Sequence, residues 1–175
     1  MSAPEFSRPV RLDMLGQAPR TIEMEASPAE REALARRFGF ESLSSLSAVV
    51  TLERRISGVV ARGTLSAALA QSCVASGEPV EEKVDEPFEV EFRPHPETGA
   101  EEEIELGEGE LDVIFYDGAS VDVGEAVAET LSLSVEPFPR SPAAEEALRE
   151  AGVKSEEQAR EEASPFAALK GKLGK

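Results

Sequence analysis

Tryptophan is absent, and the chain of 175 residues holds one tyrosine, one histidine and one cysteine. A single cysteine, Cys73, excludes an intramolecular disulfide and a cysteine-based zinc site. Few aromatic side chains leave few platforms on which bases could stack. No apolar run approaches the roughly 20 residues that span a bilayer. The N-terminus MSAPEFSRPV lacks the apolar stretch of a secretory signal. These absences together predict a cytoplasmic protein. Glycine-rich phosphate loops are missing too: Gly107-Glu108-Gly109 has neither a third glycine nor a strand–helix setting.

What is abundant is negative charge. The formal net charge is −17, and hydrophobic residues make up 41% of the chain, enough for a real core. The charge is unevenly spread. Residues 1–75 hold nine arginines and eight acidic residues, a net of +1. Residues 76–135 hold two basic and nineteen acidic residues, a net of −17. Residues 136–175 hold seven basic and eight acidic residues, a net of −1. The whole excess therefore lies in the middle of the chain. Such a segment keeps a protein in solution and attracts basic partners, while a nucleic-acid backbone would be repelled there.

Hydrophobic periodicity orders the chain into short elements. Residues 8–13 and 20–25 read as strands joined by a Gly-Gln-Ala-Pro loop. Ser27-Pro28-Ala29-Glu30 is a capping box with proline at the first helical position, predicting a helix to about Phe38 that stops at Gly39. Residues 46–74 read as a long hairpin turning at Ser57-Gly58. Val50, Leu52 and Ile56 share one face there, and Gly63 marks a bulge or bend. Residues 65–71, rich in alanine, also suit a helix. Phe88, Val90 and Phe92 alternate with Glu89 and Glu91, predicting a half-buried strand with an acidic outer face. Residues 94–110 form an acidic Pro/Gly-rich loop. A strand follows over 111–116, with Asp117-Gly118 as a hairpin turn signal. Asp122-Val123-Gly124-Glu125 is a second capping box, opening a helix to about Val135 that Pro137 and Pro139 end. The remainder is polar, with a short helix in its middle.

These elements predict an α+β fold: a mainly antiparallel, twisted sheet or partial β-barrel covered by two helices. The expected domain spans residues 1–140, with 141–175 as a polar, partly helical tail.

Few residues suggest chemistry. His95 sits between two prolines in the acidic loop, remote in sequence from Cys73, so a Cys/His nucleophilic pair has no support. Cys73 reads as a small buried hydrophobe whose acidic neighbours disfavour the thiolate. The run Glu101-Glu102-Glu103 lacks the glycine and ligand spacing of a calcium loop. No catalytic residue, metal ligand or cofactor site is therefore expected. Three binding surfaces are candidates instead. Glu101, Glu102, Glu103, Glu105, Glu108 and Glu110 would contact a basic partner. Arg31, Arg36, Arg37, Arg54, Arg55 and Arg62 would contact RNA if they converge; arginines paired to nearby glutamates are the plainer expectation. Phe166, Leu169 and Leu173 have the spacing of a helix that docks in a groove, or that packs back on its own domain.

Three stretches occur in a recognisable order: residues 54–65 (RRISGVVARGTL), 73–79 (CVASGEP) and 121–139 (VDVGEAVAETLSLSVEPFP). In this order, and in the later Pro-Phe-Ala-Ala-Leu, the chain resembles the YceD family, the large ribosomal RNA subunit accumulation proteins. The resemblance runs over roughly residues 8–173. Some members carry paired cysteines that suggest a metal site. This chain retains only Cys73 and has Arg140 and Ser141 after Pro139, so no such site is implied here. The resemblance implies a non-enzymatic role in synthesis, processing or stability of 23S rRNA. The implied partner is a large-subunit ribosomal protein or pre-ribosomal particle, with direct rRNA contact as the alternative. It transfers no binding residue, and neither a membrane nor a small-molecule substrate is expected.

Overall fold

Ser27 opens the first helix as its sequence predicts. In a computed structural model that describes residues 4–95 and 112–153, its hydroxyl accepts the Glu30 N–H, and the Glu30 carboxylate accepts the Ser27 N–H at 2.8 Å. This helix, α1 (Pro28–Phe38), stops at Gly39, whose φ of +74° is the left-handed conformation that glycine adopts without a Cβ penalty.

The chain forms two compact units: residues 1–71 with 81–137, and residues 72–80 with 138–175. The first contains most of a five-stranded sheet. Its strands are β2 (Arg20–Glu25), β3 (Ser42–Arg54), β4 (Val59–Ser72), β5 (Pro79–Pro94) and β6 (Asp112–Tyr116), side by side in that order. Two further strands, β1 (Pro9–Arg11) and β7 (Ser120–Asp122), pair antiparallel as a separate two-stranded sheet. The fold is α+β, and the five-stranded sheet does not close into a barrel among the described residues.

Strand β3 shows how the core face is set. Leu46, Ala48, Val50 and Leu52 are buried at a period of two, with Ser47 and Val49 outward. Leu43 is buried too, three residues before Leu46. A register shift between Leu43 and Ser45 reconciles them by inserting one residue into the ladder, and the Ser44 hydroxyl donates to the Ala68 carbonyl beside it. The bulge therefore lies here and not at Gly63, which pairs in register with Val50. Gly63 serves a close approach instead. A Cβ there would stand 2.4 Å from the Val49 carbonyl oxygen and 3.2 Å from the Phe88 ring.

Other expectations shift by small amounts. The hairpin turn is Arg55 to Gly58, closed by the Arg55 N–H on the Gly58 carbonyl at 2.9 Å. Ile56 is thus a tip residue, fully exposed, and does not share the Val50 and Leu52 face. Residues 65–71 are strand, where Leu65, Ala67 and Leu69 alternate inward. Asp117-Gly118 does make a turn, but it leads from β6 to β7, which belong to different sheets.

Strand β5 starts at Pro79, earlier than periodicity suggests. Its contacts with β4 run in opposite order: Arg62 with Glu89, Ser66 with Asp85, Gln71 with Glu82. The two strands are therefore antiparallel. Glu91 departs from the expected acidic outer face. It is buried, and its carboxylate accepts from Ser57 and from Arg93 (2.7 Å), which hold its pKa below the usual range. Next to β5, strand β6 runs parallel, with Val90 opposite Asp112 and Phe92 opposite Ile114.

One core unites these elements. Leu34 of α1, Leu46 and Val50 of β3, Leu65 of β4 and Phe92 of β5 pack with Phe6 from the N-terminal segment. Helix α2 (Val123–Ser134) adds Val123, Ala126, Val127 and Leu131. Thr130 and Ser134 lie at its half-buried margin. The Asp122 carboxylate caps this helix by accepting the Glu125 N–H at 3.2 Å. The reciprocal half of the predicted box is replaced, because the Glu125 carboxylate turns to Arg37.

In the second unit, residues 73–78 make a tight turn in which the Cys73 N–H donates to the Glu78 carbonyl at 2.7 Å. The Val74 N–H meets the Pro139 carbonyl at 3.0 Å, and a short helix, α3 (Ala144–Glu150), follows.

Candidate functional site

Ion pairing decides what the arginines can do. Arg8 makes a bidentate contact with Glu30 at 2.7 and 3.1 Å and lies over the Phe6 ring. The Arg8 guanidinium pulls the Glu30 pKa down to about 2, against a smaller opposing effect of burial. Arg37 makes a bidentate contact with Glu125 at 2.7 and 3.0 Å and a further bond to Glu5 at 2.9 Å. These carboxylates raise its pKa further above the ordinary arginine value. The pair ties α1 to the first turn of α2.

The six candidate arginines fall into two groups. Arg31, Arg36 and Arg37 lie on α1. Arg31 donates to the Ala26 carbonyl, and Arg36 pairs with Glu32 at 3.4 Å. Arg54, Arg55 and Arg62 surround the tip of the β3–β4 hairpin. Arg54 donates to the Leu12 carbonyl, Arg55 pairs with Glu53 at 2.6 Å, and Arg62 bridges Glu53 and Glu89. The chain entering α1 bonds β3 at Leu46, and Arg54 lies about 26 Å further along that strand at normal strand rise. The structure therefore does not gather the six into one patch. Four of them, Arg36, Arg37, Arg55 and Arg62, already face carboxylates of the same chain.

The acidic candidates Glu101, Glu102, Glu103, Glu105, Glu108 and Glu110 lie outside the described residues, as do Phe166, Leu169 and Leu173. His95 is placed: its N–H donates to the Tyr116 carbonyl, and its ring stacks on Phe115 with centroids 5.3 Å apart.

Cys73 is buried, as expected of a small hydrophobe, but its sulfur is not in apolar surroundings. It accepts the Ser141 N–H at 3.2 Å and the Ser76 N–H at 3.4 Å. These N–H groups and the Ser76 side chain lower its pKa to about 6, the Ser141 N–H contributing most. The local amide dipoles outweigh the acidic neighbours that sequence proximity suggested. The Ser76 and Ser141 hydroxyls meet at 2.9 Å, and the Ser141 hydroxyl is also 2.9 Å from the Glu78 carboxylate. Sequence reading missed this network because Ser141 lies 68 positions from Cys73. The one local signal that could have found part of it is the Cys-x-x-Ser spacing of Cys73 and Ser76. Among the described residues, no group of three or more His, Cys, Asp or Glu side chains is placed to hold a metal ion. No helix among them is long and apolar enough to cross a membrane.

No curated protein and no solved structure matches the chain significantly. A family model does match, over residues 61–171, and its description is large ribosomal RNA subunit accumulation protein YceD. The matched stretch covers more than half of the chain, including most of β4, all of β5, β6 and α2, and both sides of the Cys73 network. The chain therefore belongs to the YceD family of large ribosomal RNA subunit accumulation proteins.

Proposed function

We propose that this protein is a non-catalytic accessory factor of large-subunit biogenesis. It supports 23S rRNA synthesis, processing or stability by binding a basic large-subunit ribosomal protein, or an assembly intermediate that displays one, in the cytoplasm. The charge distribution is the observation that carries this reading. Residues 76–135 hold the whole net charge of −17, in a chain whose family is named for an RNA. A surface of that sign speeds the approach of basic proteins and repels bare phosphate backbones. The engagement of Arg36, Arg37, Arg55 and Arg62 with carboxylates of the chain itself favours the same partner. Glu101, Glu102, Glu103, Glu105, Glu108 and Glu110 are the proposed contacts.

Affinity purification from cells at native expression, with both protein and RNA identified, tests the reading. A large-subunit basic protein should be enriched at low salt and lost at high salt. Enrichment of free rRNA without any basic protein would replace this reading with direct RNA binding. In that case Arg54→Ala with Arg55→Ala should lower rRNA affinity and flatten its salt dependence.

A further inference from the structure

Among the described residues, the last strand of the five-stranded sheet has one open side. Strand β6 ends the strand order, and its only pairing among the described residues is with β5. The backbone groups of a strand residue point to one side, alternating along the chain. The Tyr116 carbonyl accepts from His95 of the chain segment continuing β5, so Tyr116, Ile114 and Asp112 face that neighbour. Val113 and Phe115 therefore turn their N–H and C=O groups outward. Natural sheets usually cover or blunt such an edge, because it is a template for another strand. This edge carries no proline or lysine, and Phe115 beside it is 40% exposed.

Between β6 and α2 lies a cleft of about 260 Å³ lined by Phe92, Ile114, Tyr116, Glu125 and Glu129, among others. That is smaller than the roughly 300–1,000 Å³ of a small-molecule site, but it suits one long side chain. Its walls are apolar below and acidic on the helix side, and no lysine or arginine lines it. Asp122 and Glu125 are already engaged, with Ser7 and with Arg37. Glu129 is exposed, and its carboxylate has no hydrogen-bond or ion-pair partner among the described residues, although its backbone carbonyl accepts from the Ser132 hydroxyl. Burial and the neighbouring Glu125 charge push its pKa up, which Arg37 only partly offsets. A carboxylate in that position is stabilised by an incoming cation.

We propose that the β6 edge takes an extended basic segment of a protein partner as an added strand, with a lysine or arginine side chain seated in the cleft against Glu129. Strand addition of this kind draws affinity from main-chain bonds and specificity from alternate side chains. The inference rests on the reading of the protein as a binder of basic partners and names where one such segment docks. Residues 96–111 do not suit the role, since they hold seven glutamates and no lysine or arginine.

The test uses the full-length, isotope-labelled protein and a blocked heptapeptide alternating valine and lysine. Amide resonances of Val113 and Phe115 should shift on titration. The same peptide with glutamate for lysine, or with backbone N-methylation on its pairing edge, should bind roughly tenfold more weakly. Val113→Pro removes an outward N–H without touching the β5 ladder, a position where an edge strand tolerates proline. It should weaken binding by a similar factor, and Glu129→Gln by about two- to fivefold. Should Val113→Pro fail to fold, the N-methylated peptide gives the same answer on the unaltered protein. Binding that leaves the Val113 and Phe115 amides unmoved, or no binding at all, would overturn the proposal. So would movement of those amides on deleting residues 164–175 alone, which would assign the edge to the chain's own tail. If Val113→Pro and Glu129→Gln still capture the cellular basic protein, only the docking site fails. If the wild type captures none, the functional reading itself fails.

Discussion

The Cys73 thiol is held by backbone N–H groups from two distant stretches, and its pKa of about 6 follows from the Ser141 N–H, the Ser76 side chain and the Ser76 N–H. Thiolate absorbance in the ultraviolet should titrate near pH 6 in the folded protein and near the ordinary value of 9.0 once it is unfolded. Because the folded pKa is the lower one, the associated stability is complete above pH 9 and disappears as pH falls to 6. Comparing melting temperatures of wild type and Cys73→Ala across that window checks the sign. A difference that does not grow with pH would contradict it. Glu30 follows the same logic at acid pH. Its Arg8 contact contributes stability that is complete above the ordinary glutamate value of 4.5 and lost as pH falls towards 2. Glu30→Gln should cost about 2 kcal/mol at neutral pH, by denaturant titration, and almost nothing near pH 2. The capping half of the Glu30 role was legible in Ser27-Pro28-Ala29-Glu30, because a cap is made within four residues. The Arg8 half was not, since 22 positions separate that pair. Glu91 was misplaced for a related reason. Alternation set it outward, while Ser57 and Arg93 satisfy it inside.

Elements with strong local signals stand where the sequence puts them: α1 between its cap and Gly39, α2 after Asp122, and the β3–β4 hairpin. Those that depend on distant partners were harder to read. The first half of β5, Val-Glu-Glu-Lys-Val-Asp-Glu-Pro, looks too charged for a strand. It is one because Gln71 and Ser66 on β4 answer its Glu82 and Asp85 side chains. The parallel placement of β6 has no local signature at all. Nor does the pairing of β1 with β7, which joins residues more than a hundred positions apart. Gly63 shows how an element constrains a residue. With the Val49 carbonyl and the Phe88 ring against its Cα, Gly63→Ala must force the β3–β4 pair apart or displace the ring. A loss of roughly 1–3 kcal/mol in denaturant titration is expected, as for other overpacked sites. An unchanged midpoint would mean the strands can part there at no cost.

For the whole molecule, charge carries the account. The negative excess of residues 76–135 was legible from composition alone, and the chain belongs to a family named for accumulation of the large ribosomal RNA subunit. What the sequence could not show is how the basic residues are used. Whether six arginines converge depends on the fold, and here they form two groups with much of their charge answered at home. Changing Glu101, Glu102, Glu103, Glu105, Glu108 and Glu110 to glutamine should therefore weaken capture of a basic ribosomal protein at low salt. The melting temperature should change little, because a solvated charge run contributes little to folding. Loss of stability together with capture would instead point to a structural role for that run. The most direct measurement titrates the purified protein side by side with isolated basic proteins of the large subunit and with protein-free 23S rRNA, at low and high salt. One or more of the basic proteins should bind, with an affinity that falls steeply as salt rises, while the naked rRNA should not. Binding of the rRNA with no affinity for any basic large-subunit protein would contradict the proposed function.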